Sequence, residues 1–598
     1  MQVLDAIRGR QHPVRPRQQA PQSLDTRAEA VTRPALMPRP ADVKALTDKS
    51  VGQMFAQGDA DGFYRTLYNM GPFPAAATSA ALNFVGVEGA QFFKDDKAGF
   101  ATIMGQQHPD GSFSPYPGAP PSKDITSLVL LAIDMAGRNP DIQQDPAFLK
   151  SLQKTRHLAE SYVKSDAPSA DPGMLRGVYQ VLHDTCRPDA PRLSPPIVPT
   201  AHPNLLNWLE HGRLGSKLAA QLSLPASLLL PSVGILSYTI DKDRPAHCAE
   251  DRILKLLHLD GKPGQALQSL QEDISRQQCR DGGWYIALAT ALNMAALKQR
   301  GVALQDPAMQ RSVGFIESLQ RTNAQGESER NFVAAEVWDT ACAGQLFLYK
   351  GVPASHPKLA KMIDSLLDHQ DQDGMWAFGA DSEHFGDKDS TGAVCQFLTQ
   401  AYATAGPAQK PRIKAALQQA TETLLTGQLH DGGMNGWGNT LWRFGRRTPS
   451  TFEAAMFDAS STDVSGRILD LLVSERRAGV LDPALQTRAD HAADRMQAYL
   501  IKSQSSNGSW WSRWMAGYMC SPAFVAPGLR LQGVSPHDPC MVKLRDFLTR
   551  SQQDDGGWGE VNEADIDKKL AGQGPSTPVQ TAMGLMASIA SSPTEDIR

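Results

Sequence analysis

A unit of Gln, three residues, Gly, one residue and then an aromatic recurs along the chain, at Gln107/Gly111/Phe113, Gln278/Gly282/Trp284, Gln370/Gly374/Trp376, Gln504/Gly508/Trp510 and Gln552/Gly556/Trp558. A degenerate copy, Gln428/Gly432/Met434, is followed by Trp437. Every copy contains Asp-Gly or Asn-Gly, which favours a tight turn, and most follow a segment with a helical apolar period. Such a unit can end one helix, turn at the glycine and stack the ring on its own glutamine, tying the helix end to a neighbour. Serial repetition suits helical hairpins set side by side, each burying its apolar face only against adjacent units. The repeated Trp and Gln residues therefore read as braces and not as catalysts.

Between the repeats, apolar residues recur every three to four positions, as in Thr126 to Ala136, Lys358 to His369 and Val464 to Glu475, the period of amphipathic helices. The alternation expected of strands is scarce, so the expected fold is all-α. A chain of 598 residues exceeds what one hydrophobic core usually organises, and two large domains are expected. Residues 1–45 are rich in Pro, Arg and Gln without a helical period and read as a disordered leader. Arg8, Arg10, Arg15, Arg17, Arg27, Arg33 and Arg39 against three acids in the first forty residues suit a transit or secretion signal; a dispensable tail is the simpler reading of the same composition.

With 41% apolar and 20% charged residues and a net charge of −4, the chain lacks the global basic field of a nucleic-acid binder. Its cysteines form no CxxC or CxxH pair, so neither a metal site nor a disulfide framework is expected, and they read as reduced, mostly buried thiols. No apolar run approaches the ~18 residues that span a bilayer. A soluble or peripheral protein in the cytoplasm is expected.

The repeats resemble the QW motifs of the squalene-hopene and oxidosqualene cyclase superfamily. Glu336–Gly344 (EVWDTACAG) resembles that family's VWDT helix, Asp458–Leu472 (DASSTDVSGRILDLL) its aspartate-bearing helix, and Asn507–Met519 (NGSWWSRWMAGYM) its GSWxxRW segment. Asp554–Glu560 (DDGGWGE) and Gly572–Ala587 resemble its closing repeats, Asp110–Gly118 an early one, and Leu224–Pro231 a membrane-facing part. The resemblance runs from about Gly105 to Ala587. It implies two α/α-barrel domains around a central apolar cavity, residues 46–325 forming the first and largely inserted into the second, residues 326–598.

A linear polyene without a usable leaving group begins to cyclise only when an alkene, a very weak base, is protonated. That needs a dry carboxylic acid that stays protonated at rest and whose anion is stabilised after transfer. Two carboxyls sharing a site supply this, because repulsion keeps one of them protonated near neutral pH. His384–Val394 (HFGDKDSTGAV) resembles the family's DxDDT motif. Asp387 takes the first aspartate, Asp389 the middle one, which is the family's proton donor, and Thr391 the threonine, while Ser390 replaces the third aspartate. Taken alone, DKDS is a helix cap as readily as an acid site.

Asp463 and Arg467 stand where the resemblance suggests groups that polarise and reprotonate the donor; four residues apart on one helix face, they also fit a plain surface ion pair. Asp339 is as much a cap or a buried hydrogen-bond acceptor as a catalyst. A migrating carbocation needs aromatic faces, worth about 0.5–2 kcal/mol per contact. The candidates are Trp338, Phe378, Phe385, Trp442, Trp511, Trp514 and Tyr518, of which Trp338 and Trp514 match family positions and any one is by default a core residue.

The chain stops at Arg598, before the further repeat and aromatic segment usual in the family, which suggests a shorter polyprenyl substrate or fewer rings than a full triterpene. Leu222–Leu236 is apolar enough to dip into a membrane face and equally fits a buried loop. The expected activity is protonation-initiated cyclisation of squalene or a shorter linear isoprenoid, without a cofactor. The alternatives are a prenyl diphosphate cyclase like copalyl diphosphate synthases, for which Mg²⁺ would accompany the diphosphate, and a non-catalytic relative that binds an isoprenoid or a protein.

Overall fold

The repeat turns are built on glycine for two reasons. In the computed structural model, which describes residues 40–593 except 57, 66–70, 88–89, 115–120, 166–172, 189–201, 212–223, 242–254, 257, 260, 323–327, 383–384, 438–457, 514–516, 562–563 and 565–566, the repeat glycines lie in the left-handed region, from φ +83° at Gly556 to +95° at Gly508. Only glycine enters that region without a Cβ penalty. Space demands it as well: a Cβ on Gly282 would stand 2.3 Å from the carbonyl oxygen of Arg311 in the neighbouring outer helix.

The glutamine holds the turn. Gln278 Nε2 donates to Gly282 O at 2.9 Å within its unit and to Ala308 O at 2.8 Å in the next outer helix. Gln370 does the same to Gly374 and Ala416, Gln428 to Gly432 and Ala492, and Gln504 to Gly508 and Cys540. The tie between neighbours, expected from ring stacking, is thus made by paired amide hydrogen bonds.

The tryptophans point inward. Trp284, Trp376 and Trp510 are fully buried, and their indole N–H groups donate to the carbonyls of Ile274, Leu366 and Leu500, each at 2.7 Å. Burying a ring of this size is worth about 4–6 kcal/mol at most. The backbone N–H groups of Trp284, Trp376, Met434 and Trp558 are received by a hydroxyl in the first turn of the following inner helix, from Thr290, Thr391, Ser465 and Thr581 respectively.

Inner helices pack side by side. Among the described residues, helices Phe73–Val85, Lys123–Ala136, Gly173–Cys186, Leu224–Asp241 and Ala287–Gln299 contact one another in a closed ring. A second series follows chain order through helices labelled α1 (Glu336–Tyr349), α2 (Lys388–Tyr402), α3 (Thr462–Ala478) and α4 (Pro522–Leu531), then Pro578–Ser591. Outer helices Pro357–Asp368, Gln409–Thr426 and Pro483–Ser503 run outside it. The fold is all-α, of the α/α-barrel kind. Its one sheet among the described residues is the antiparallel pair Gln320–Thr322 with Ser328–Arg330. The boundary expected at 325/326 lies among residues 323–327, outside the described set.

Residues 58–244 with 261–598 form one compact unit, and residues 1–57 with 245–260 another. In the latter, helix Pro40–Ala56 begins inside the segment read as a leader. Proline at a first helical position loses nothing by lacking an N–H.

The apolar segment 222–236 is described in its second half. Pro231–Leu236 is buried, with Ile235 and Leu236 at 0% exposure, and belongs to the core of the first ring. A Cβ on Gly234 would meet Leu206 Cδ1 at 2.3 Å, so these six residues face protein, as the buried-loop reading of the segment expects. Leu222 and Ser223 lie outside the described residues, as do the side chains of Leu224–Leu228. No described helix is long and apolar enough to cross a membrane.

Candidate functional site

The repeat register places the two key carboxylates. Thr391 and Ser465 hold equivalent positions, each accepting the N–H of a repeat turn. Asp389 and Asp463, two residues before them, therefore occupy the same place in successive units, the first turns of α2 and α3. Adjacent inner helices bring these turns together, and the Asp463 charge raises the pKa of Asp389.

Asp389 lies deep in the fold, yet 21% of its side-chain surface stays open. Burial is the largest influence on its carboxyl and pushes the pKa up; Arg467 pulls it down and Asp463 pushes it further up. Arg467 Nε stands 2.9 Å from Asp389 Oδ1, although its N–H makes no aligned hydrogen bond. The two are an ion pair across helices, not the Asp463–Arg467 surface pair that the spacing also allowed, and Arg467 is 7% exposed.

Asp387 performs the capping role that its sequence suggested. It is fully buried, N-caps α2 and accepts the Ser390 N–H at 2.6 Å. Its pKa is pushed up to about 7, first by burial and then by the charge of Asp389, against the opposing donors Ser390 and Tyr285. The Ser390 hydroxyl, fully buried, lies against the same carboxylate without completing an aligned hydrogen bond. Lys388, also buried, is turned to Asn435 Oδ1 at 2.7 Å, and burial lowers its pKa.

Asp463 accepts hydrogen bonds from Ser461 Oγ, from Ser512 Oγ and from the Val464 N–H at 3.0 Å. Ser512 belongs to the Asn507–Met519 segment, so this contact joins that segment to the two carboxylates. Two glycines let the helices approach. A Cβ on Gly392 would meet Ile468 Cδ1 at 2.7 Å, and one on Gly466 the Phe524 carbonyl carbon at 2.7 Å.

The aromatic candidates divide. Phe378 and Phe385 surround Tyr285, with centroids at 6.1 and 5.9 Å, and Trp437 stands edge-on to the same ring at 6.4 Å. Trp338 stacks on Phe378 at 5.5 Å with an interplanar angle of 18° and also lies 4.4 Å from the Arg467 guanidinium carbon. Tyr518 is 2% exposed, its backbone N–H held by Glu560 Oε1 at 2.6 Å. Trp511 is half-buried. Trp514 and Trp442 lie outside the described residues.

Tyr285 was not foreseen. Its hydroxyl donates to Asp387 Oδ2 at 3.3 Å, and burial together with Asp387 holds its pKa far above the usual phenol range, so it remains a donor. Its φ of +66° is a left-handed conformation that costs a bulky side chain about 1–3 kcal/mol. The signal was its position directly after a repeat tryptophan, in DGGWY. No group of three or more His, Cys, Asp or Glu side chains that would hold a metal occurs among the described residues.

Residues 334–597 match the family model for the squalene-hopene cyclase C-terminal domain. An enfumafungin synthase of Hormonema carpetanum is 29% identical over 315 residues, covering 48% of this chain and 23% of that protein. The chain thus spans about a quarter of that relative's length. A squalene–hopene cyclase of Alicyclobacillus acidocaldarius is 25% identical over 525 residues, covering 82% of this chain and 79% of the relative. An ent-copalyl diphosphate synthase from Streptomyces platensis shares the fold, with a TM-score of 0.50 at 14% identity over 91% of this chain and 92% of its own. The family match spans helices α2 and α3, and over residues 334–597 the chain is similar to the C-terminal domain of squalene-hopene cyclases.

Proposed function

We propose that the protein initiates cyclisation of a linear isoprenoid by proton transfer from Asp389. The observation that carries this reading is a deeply placed carboxyl whose pKa burial raises, which favours its protonated form, beside a guanidinium 2.9 Å away that favours its anion. The Asp389 O–H bond breaks as the alkene π electrons form a new C–H bond and leave a tertiary cation. The next alkene closes a C–C bond onto that cation, and the last cation loses a proton or captures water. The Asp389 anion rests against Arg467 until solvent returns a proton.

The rings of Phe378, Phe385, Tyr285 and Trp437 form a single aromatic group, suited to a passing positive charge at about 0.5–2 kcal/mol per contact. Squalene is the first substrate to test, because similar proteins are squalene–hopene cyclases. Ser390, uncharged where the family motif carries a third acid, gives a prenyl diphosphate as the second, with Mg²⁺ entering as its counterion. Purified protein incubated with squalene or with geranylgeranyl diphosphate, with and without Mg²⁺, and analysed by mass spectrometry distinguishes the two. Formation of a cyclic product from neither would overturn the proposal.

A further inference from the structure

We infer that Phe524, on α4, is a positioning residue for the acid: together with Trp338 of α1 it clamps the Arg467 guanidinium between two aromatic rings and so fixes the charge that faces Asp389. The inference rests on the proposed role of Asp389. The guanidinium carbon lies 4.4 Å from the Trp338 centroid and 4.4 Å from the Phe524 centroid, both within the range in which a cation is held by a ring quadrupole. Its Nε contacts Asp389 without an aligned hydrogen bond. The rings, and not a directed bond to the carboxylate, therefore decide where the charge sits.

The surrounding packing is shaped for this arrangement. Gly392 packs beside the Arg467 stem and leaves room for Ile468 of α3, whose Cδ1 would lie 2.7 Å from a Cβ placed there. Gly466 and Gly528 let α3 and α4 touch through their backbones, since a Cβ on Gly528 would stand 2.6 Å from Gly466 O, and this contact delivers Phe524 to Arg467. Trp338 also stacks on Phe378, so its ring is engaged by groups of the protein itself. Its place in the site is explained by holding Arg467, whereas the sequence suggested contact with a substrate cation.

Other charged or titratable groups face this cluster as well. Asp463 acts on Asp389 from α3, Asp387 and Lys388 adjoin it in its own turn, Asp339 and Cys342 lie on α1, Tyr285 lies beyond Asp387, and Asp470 feels Arg467 from the next turn of α3. All of them stay in place when Phe524 is changed. A guanidinium free to drift stabilises the Asp389 anion less, which makes the acid weaker.

The test compares the pH dependence of kcat/KM for wild type, Phe524→Leu and Phe524→Tyr. Activity requires protonated Asp389 and falls as pH rises through its pKa. Phe524→Leu should lower the acid-side plateau about tenfold, the equivalent of one lost cation–π contact, and move the alkaline limb up by about one pH unit. Phe524→Tyr, which keeps a ring, should retain both. A uniform loss with the limb unmoved, or a tyrosine variant that behaves like the leucine variant, overturns the inference.

Thermal melting across pH supplies a readout that needs no activity, each protein being compared with its Asp389→Asn counterpart. The stability that protonated Asp389 confers is lost as pH rises through its raised native pKa, and the bend marking that loss should move up in Phe524→Leu. If wild type cyclises no polyene, the proposed function fails while the bend still decides the clamp. A moved bend supports it and an unmoved one refutes it.

Discussion

Replacing Glu475 by glutamine should leave stability near pH 4.5 almost unchanged and raise it progressively as the pH climbs from there to about 8, with no further gain above. Glu475 is fully buried on α3, and the Thr421 hydroxyl lies 2.9 Å from one of its carboxyl oxygens and 3.0 Å from the other. One hydroxyl donates to only one oxygen and meets the other with a lone pair, an arrangement that fits the protonated acid. Burial pushes the pKa from 4.5 up to about 8. Between those values the native state keeps a proton that the unfolded chain has released, so stability falls as pH rises through the interval. At about 1.4 kcal/mol per pH unit, the loss between 4.5 and about 8 approaches 5 kcal/mol. A glutamine carries no titrating proton, and its amide reproduces both contacts to Thr421. Differential scanning fluorimetry of both proteins from pH 4.5 to 9 should show melting curves that coincide at the acid end and separate by several degrees at the alkaline end. A melting-temperature difference that stays constant with pH, or a glutamine variant less stable than wild type at pH 8, would refute this account of the buried carboxyl.

The remaining expectations concern the site and its frame. Tyr285→Phe removes the donor to Asp387, so the Asp387 pKa should rise above about 7, and loss of one hydrogen bond of ~1 kcal/mol should lower kcat about fivefold; pH–rate profiles of the two proteins check both. Gly282→Ala places a Cβ 2.3 Å from the Arg311 carbonyl oxygen at a φ of +89°, and denaturant titration should show a loss of more than about 2 kcal/mol. Gln370→Ala leaves the carbonyls of Gly374 and Ala416 without their donor, and the same titration should show a loss of about 1–3 kcal/mol.

The frame was legible because the repeat writes its own geometry into the sequence. Asp-Gly or Asn-Gly requires a turn with positive φ, and the glutamine four residues before the glycine reaches back to close it, so helices and turns fall where the spacing puts them. The segment Val464 to Glu475, read as helical, lies within α3. Asp387 and Asp389 were found through a tetrapeptide that is also a good cap, and Asp387 does cap α2. What local spacing could not give is long-range. Arg467 pairs with Asp389 on the neighbouring helix; the family resemblance suggested a role beside the donor, whereas four-residue spacing on its own helix equally fitted a pair with Asp463.

Phe524 carries no local signal at all, because it reaches Arg467 only through the glycine-lined contact between α3 and α4. Pro231–Leu236 left two readings open for a related reason. An apolar segment reads alike whether it faces lipid or a ring of helices, and here tertiary packing claims it.

The central claim is that Asp389 donates the proton. Wild type and Asp389→Asn, matched for melting temperature and circular dichroism, should be incubated with squalene and with geranylgeranyl diphosphate, and their products separated and identified by mass spectrometry. Cyclic product from wild type, falling by at least about a thousandfold in Asp389→Asn, is the predicted result. An Asp389→Asn protein that forms the same cyclic product at the wild-type rate would contradict the account.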